Sequence, residues 1–194
     1  MNKVLIIYSH PSHDGHSAYF LDCIKNLLNT KSNISYEIFD LYAINYDPIL
    51  KNDELYSANR KAVSLENLNI QEKIKDADRL IFIYPTWWQN MPAILKGFID
   101  RVLVSGFAFI YKNGKPVGLL TNKKAAVFTT TGGPHFYSIL FKKNRSLNIL
   151  IKDVLLFVGI KARGYSIGSA GRLSDENKSK IKKISEKVIH YLVS

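Results

Sequence analysis

Three histidines recur every third residue in the stretch HPSHDGHS, at His10, His13 and His16. Imidazoles so placed can bind a metal, move a proton or donate to a phosphate, and the residues between them decide. Pro11 follows His10 directly and disfavours helical geometry there, so the three rings do not share one helix face. A closed zinc site needs a fourth ligand, and only Asp14 stands nearby. No metal is therefore expected. The setting suits an anion better: the stretch lies between an apolar run and a helical pattern, where backbone N–H groups and the helix dipole favour negative charge. Gly15 permits close backbone approach, and His16 and Ser17 can donate from their side chains. A phosphate cradle is the leading reading. Taken alone, the stretch is equally well explained by His13, Asp14 and Ser17 capping the helix.

Two further stretches bear on that choice. Pro85-Thr86-Trp87-Trp88 follows the run RLIFIY, and Thr130-Thr131-Gly132-Gly133 closes the run KAAVFTT. The first offers flat aromatic surface beside a rigid turn; the second offers backbone donors that can approach a ring edge closely. Either alone has an ordinary explanation, packing for the tryptophans and a simple turn for the glycines. Three such loops at the ends of strands in one sheet would bind a planar aromatic ring carrying a phosphate.

The elements that must position them are legible from apolar runs. VLIIY (4–8), ISYEIF (34–39), RLIFIY (79–84), KAAVFTT (124–130) and a weaker ARGYSIG (162–168) predict five strands. The first, third and fourth lack polar alternation, as parallel strands covered on both faces do. Helical stripes separate them: Phe20, Ile24, Leu27 and Leu28; Leu95, Phe98, Ile99 and Val102; Leu147, Leu150, Ile151, Val154 and Val158. A last helix starts at Ser174 as N-cap, with Asp175 and Glu176 in its first turn. The alternation predicts a doubly wound α/β domain. A polar excursion from Tyr42 to Asn69 carries Tyr46, Ile49, Leu50 and Tyr56, too apolar for simple disorder.

The 194 residues fit a single domain, 1–194, and no apolar run is long enough to span a membrane. The N-terminus lacks a signal-peptide pattern, and a cytoplasmic location is expected. One cysteine, Cys23, excludes an internal disulfide. The net charge of +11 is dispersed, densest in KSKIKKISEK, which reads as an exposed helix face. No nucleic-acid-binding motif accompanies it, so no nucleic acid is expected as partner; the field would attract phosphate-bearing ligands.

Together, PTWWQNMPAILKGFIDRV, GFAFIYKNGKPVGLL and TTGG, with IIYSHP and DLYAINYDPIL in support, resemble the flavodoxin-like NAD(P)H:quinone oxidoreductases, the DT-diaphorase-like group. The resemblance covers most of the chain and fades after Gly171. It implies a flavodoxin-like five-stranded parallel sheet of order 2-1-3-4-5 with a flavin held non-covalently at the strand ends. NAD(P)H would be the electron donor and a quinone or other small flat aromatic molecule the acceptor. His10 and the segment Gly15, His16, Ser17 and Ala18 would hold flavin phosphate. Pro85, Thr86, Trp87, Trp88 and Gln89, with Thr130, Thr131, Gly132 and Gly133, would line the isoalloxazine, Trp88 as a wall beside it. Tyr137 takes the place of the family's active-site tyrosine.

There are departures. The first loop usually carries Ser-x-Asn, where this chain has Gly15-His16-Ser17. The histidine that follows the tyrosine by six positions in mammalian members is Lys143 here, so a Tyr/His relay is not carried over. Lys142, Lys143 and His135 remain alternatives for stabilising charge on reduced flavin. FMN is expected rather than FAD, because the loop accounts for one phosphate and no adenine pocket is evident. A homodimer is expected, from the tyrosine-rich excursion and from relatives that build their pockets between two subunits. Rival readings are a flavodoxin-like electron carrier and a flavin-binding regulatory subunit of a potassium-efflux system.

Overall fold

The structure, a computed structural model, describes residues 2–55, 63–133 and 144–193; Tyr56, His135, Tyr137, Lys142 and Lys143 lie outside them. In chain order the elements are β1 (Asn2–Tyr8), α1 (Gly15–Asn29), β2 (Ile34–Asp40), a 3-10 turn (Asn52–Glu54), α2 (Leu65–Asp76), β3 (Arg79–Pro85), α3 (Ala93–Val102), β4 (Phe109–Lys112), β5 (Lys115–Gly118), β6 (Lys124–Thr130), α4 (Arg145–Asn148) running into a π-helical stretch (Ile149–Leu155), β7 (Lys161–Ile167) and α5 (Asp175–Val193).

Five strands form one parallel sheet in the order β2-β1-β3-β6-β7, which is 2-1-3-4-5 when only the strands of this sheet are counted. The continuous apolar runs are explained by cover on both faces. Leu5, Ile7, Leu80, Phe82, Ala125 and Val127 pack with residues of α2, α3 and the π stretch; Val4, Ile6, Ile81, Ile83, Ala126 and Phe128 pack with α1 and α5. Phe20 of α1 stacks on Phe128 at 3.9 Å between ring centroids. Burying each such side chain contributes roughly 1.5–3 kcal/mol. As expected, Ser174 caps α5, its hydroxyl accepting from the Asn177 N–H at 3.2 Å. No helix among the described residues is long and apolar enough to cross a membrane.

Three local features depart from the sequence reading. Asn113 and Gly114, both at positive φ, turn the chain between β4 and β5, a two-stranded hairpin outside the main sheet. The Asn-Gly pair was its signal. The stripe after α4 follows a wider helix: the Leu156 N–H donates to Ile151 O, five residues back. That winding buries Leu155 fully and leaves Ile151 and Val154 half-buried. The excursion folds back onto its own chain. Tyr46 is buried and donates to Asn67 Oδ1 at 3.0 Å, and Arg101, 4% exposed, pairs with Glu54 at 2.8 Å and donates to Asp47 O. The Arg101 hydrogen bonds hold the Glu54 carboxyl below its ordinary value.

Pro48 lies directly on α3 at Gly97. A methyl there would meet the Pro48 carbonyl oxygen at 2.1 Å, so backbone would have to move. Gly97→Ala is expected to destabilise by about 1–3 kcal/mol, as overpacking does. Urea unfolding reads this, and a variant as stable as the parent would show that Pro48 does not rest on α3.

Candidate functional site

Between the end of β1 at Tyr8 and the start of α1 at Gly15, the chain turns over the C-terminal edge of the sheet, and here the three histidines part. The Ser12 N–H donates to His10 Nδ1 at 3.0 Å while Ser12 O accepts from the Tyr8 hydroxyl at 2.7 Å. His10 Nδ1 also lies 2.9 Å from Ser12 O, so both contacts of the ring to Ser12 run through Nδ1 and leave Nε2 clear of that residue. His13 stacks on Tyr8 and brings Nε2 within 2.8 Å of Asp40 Oδ2 at the end of β2. His16 is buried, and its Nε2 accepts from Asn177 Nδ2 on α5 at 3.0 Å. Burial pushes its pKa below the ordinary histidine value, so it is a neutral ring and adds no charge to the loop. Among the described residues no cluster of ligating side chains could hold a metal.

The capping explanation weakens here, because Asp14 is the N-cap of α1 and its side chain makes no cap hydrogen bond. The Ser17 hydroxyl, in the first turn, and that of Ser9 are buried without any hydrogen-bond partner. Leaving a buried hydroxyl unpaired costs about 1–3 kcal/mol. A phosphate seated on this turn would satisfy them. Gly15 has φ +85, which a side chain would resist. Ala18 is buried, leaving only its backbone N–H to offer.

The other two loops are tied to each other. The Thr86 N–H donates to Thr130 O at 2.7 Å, and the Thr86 and Thr129 hydroxyls are 2.8 Å apart. Pro85 is buried as the last residue of β3, opposite Thr130, so its part is to aim the turn rather than touch a ligand. Reciprocal hydrogen bonds between Trp87 and Asn90, 3.0 and 2.9 Å, close a two-residue turn with Trp88 at φ 51 and Gln89 at φ 62. Trp88 is 100% exposed, while the Trp87 ring lies 6.5 Å from His10. The turn thus displays an indole with none of the described residues packed against it. Beyond β6, the Thr131 N–H donates to Ile167 O at 2.9 Å and Gly133 O accepts from Ser169 N at 2.8 Å, clamping the loop to the one after β7. Added Cβ atoms at Gly132 and Gly133 would meet nothing within 4 Å. The fold does not need glycine there, whereas a flat ligand approaching the backbone would.

Two features escaped the sequence reading. A groove of about 890 Å³ leads away from Gly132 along α5, lined by Arg172, Asn177, Lys180, Lys183 and Lys187. The lysines read as a solvated face therefore partly wall a cavity, and their spacing at 180, 183 and 187 marks one helix face. The groove also removes the absence of an adenine pocket as a ground for preferring FMN. Arg145, at the opening of α4, shares a small hollow with Thr86, Gln89 and Thr131.

A family model described as flavodoxin-like fold matches residues 2–191. The chain is 35% identical over 156 residues to the FMN-dependent NADH:quinone oxidoreductase of Geobacillus kaustophilus, covering 71% of this chain and 72% of that one. It superposes on the NAD(P)H:quinone oxidoreductase from Methanothermobacter marburgensis with a TM-score of 0.85 at 25% identity, covering 100% of this chain and 98% of that one. The match to the rat ribosyldihydronicotinamide dehydrogenase [quinone] spans 64% of that relative's length. An uncharacterized NAD(P)H oxidoreductase of Haemophilus influenzae is 33% identical over 177 residues, 91% of this chain and 88% of that one. Similarity of that extent, on a sheet of this order, makes the chain a member of the flavodoxin-like NAD(P)H:quinone oxidoreductase family.

Proposed function

We propose that this protein is a flavin-dependent NAD(P)H oxidoreductase, a single flavin-binding domain that passes two electrons from a nicotinamide through flavin to a quinone or similar flat aromatic acceptor. The observation that carries the reading is the pair of buried, unpartnered hydroxyls, Ser9 and Ser17, at the two ends of the loop whose His10 ring lies 6.5 Å from that of Trp87. FMN is the cofactor assigned, supported by the FMN-dependent relative. Bound flavin supplies the two-electron chemistry; the chain binds, orients and shields.

The Ser17 hydroxyl, the backbone N–H groups of Gly15 to Ala18 and His10 Nε2 hold the phosphate. Thr86 and the backbone of Gly132 and Gly133 meet the ring edge, where oriented donors stabilise developing charge. Trp87, Trp88 and Gln89 keep water from one side. Tyr137 is the proposed active-site tyrosine. Nicotinamide and acceptor use the remaining face in turn, which gives ping-pong kinetics. A one-electron carrier would show no steady-state NAD(P)H:quinone turnover.

A second copy of the chain completes the site in this reading. Its support is an apolar hollow of about 590 Å³ lined by Leu103, Val104, Phe109, Tyr111 and Phe157, with Tyr111 55% exposed, together with the fully exposed Trp88. Tyr46 no longer argues for an interface, since its own chain buries it; Ile49 and Leu50 still do. A cytoplasmic setting fits the single unpaired cysteine.

Purified protein is expected to show a flavin absorbance spectrum and to release FMN, identified by mass spectrometry. Release of FAD alone would reassign the groove along α5 to an ADP moiety and overturn the FMN assignment. Ser17→Ala is expected to weaken flavin affinity roughly ten- to a hundredfold, the worth of a hydrogen bond to a charged group. Unchanged affinity in titrations of the apoprotein would remove Ser17 from the phosphate site. Light scattering at micromolar concentration is expected to give a dimer; a stable 22.1 kDa monomer with full turnover would refute it.

A further inference from the structure

Arg145 carries a charge that the fold does not answer. It opens α4 with an exposed side chain, and no ion pair or hydrogen bond to it occurs among the described residues. The preceding Asn144 is held at φ 50 and makes no side-chain cap.

Its surroundings explain the placement. Arg145 lines a small hollow with Thr86, Gln89, Thr129, Thr131, Ser146 and Leu147, which joins it to both loops assigned to the flavin ring. In that hollow the Ser146 side chain is buried, the residue 4% exposed, and its hydroxyl has no hydrogen-bond partner. The Ser146 carbonyl is engaged separately, accepting from the Tyr84 hydroxyl at 3.1 Å. An unanswered guanidinium and an unpaired hydroxyl on adjacent residues call for a negatively charged, hydrogen-bonding group from outside the chain.

We propose that Arg145, assisted by Ser146, stabilises the negative charge gained by the flavin ring on reduction. The inference rests on the flavin reading above. In that step a nicotinamide C–H bond breaks and its hydride, one proton with two electrons, bonds to the ring. The nicotinamide leaves as a cation and the ring is left one negative charge richer. Arg145 contributes charge and hydrogen bonds and transfers no proton. When the acceptor takes up the hydride and a proton from solvent, the ring returns to neutrality. Lys142, Lys143 and His135, the alternatives from sequence, lie outside the described residues; Arg145 is chosen by its position.

The test titrates full-length apoprotein with oxidised FMN and, anaerobically, with dithionite-reduced FMN, and measures the midpoint potential of the loaded protein. Arg145→Gln is expected to weaken binding of the reduced form roughly tenfold more than the oxidised form, lowering the potential by about 30 mV for a two-electron couple. Arg145→Lys is expected to recover most of that difference. Equal weakening of both forms, or an unchanged potential in a variant that still binds oxidised FMN, would overturn the proposal while leaving the flavin reading intact. Wild-type protein that binds neither form would overturn the flavin reading and this proposal together.

Discussion

Everything at the candidate site follows from cover on both faces of the parallel sheet. Because β1, β3 and β6 are buried above and below, no ligand reaches the side chains along the middle of these strands. Only their ends are open, and parallel pairing puts all the C-terminal ends on one edge. The registers that set Pro85 beside Thr130 and Thr130 beside Ile167 bring loops distant in sequence within hydrogen-bonding reach. The Thr86 to Thr130 and Thr131 to Ile167 bonds extend the ladder one step past the strands, so the loops inherit the sheet's rigidity.

The first loop is held by its histidines rather than made reactive by them. Each ring has a separate structural partner: Ser12 for His10, Asp40 for His13 and Asn177 for His16. The His13 pair ties the loop to β2 and the His16 bond ties α1 to α5, so two of three side chains that looked like ligands position the turn. What they leave for an anion is the backbone, the Ser17 hydroxyl and His10 Nε2. The positive charge that would draw a phosphate in comes instead from more distant groups, among them the cations along α5.

The sheet was legible because burial on both faces writes itself into the sequence as unbroken apolar runs such as VLIIY and RLIFIY. The β4–β5 hairpin was legible too, in Asn113-Gly114, but went unread because its strands are short and alternate weakly. The π winding after α4 was not legible, since a stripe drawn at helical period selects Val154 where the wider turn buries Leu155. At the site, residue types pointed to three loops that the fold brings to one edge of the sheet, yet what each side chain touches shows only in three dimensions. No spacing rule separates His16, turned to Asn177, from a phosphate ligand. An unpaired hydroxyl such as Ser17 or Ser146 is visible only when every neighbour has been placed.

Backbone strain falls on the same edge. Of the six non-glycine residues at positive φ among the described residues, Trp88, Gln89, Asn144 and Ser169 belong to the loops around it, while Asn45 and Asn113 lie in turns elsewhere. Asparagine adopts this conformation at little cost; a bulky tryptophan does not, and such a residue costs about 1–3 kcal/mol to hold there. The Trp87–Asn90 bonds supply the restraint, and they hold the indole of Trp88 fully exposed, where it packs against none of the described residues. An exposed aromatic on a strained turn lowers the stability of an isolated chain twice over. Its retention is accounted for by what the turn presents outward, a flat surface beside unpaired hydroxyls and open glycine backbone, all on the one edge of the sheet that the core leaves uncovered.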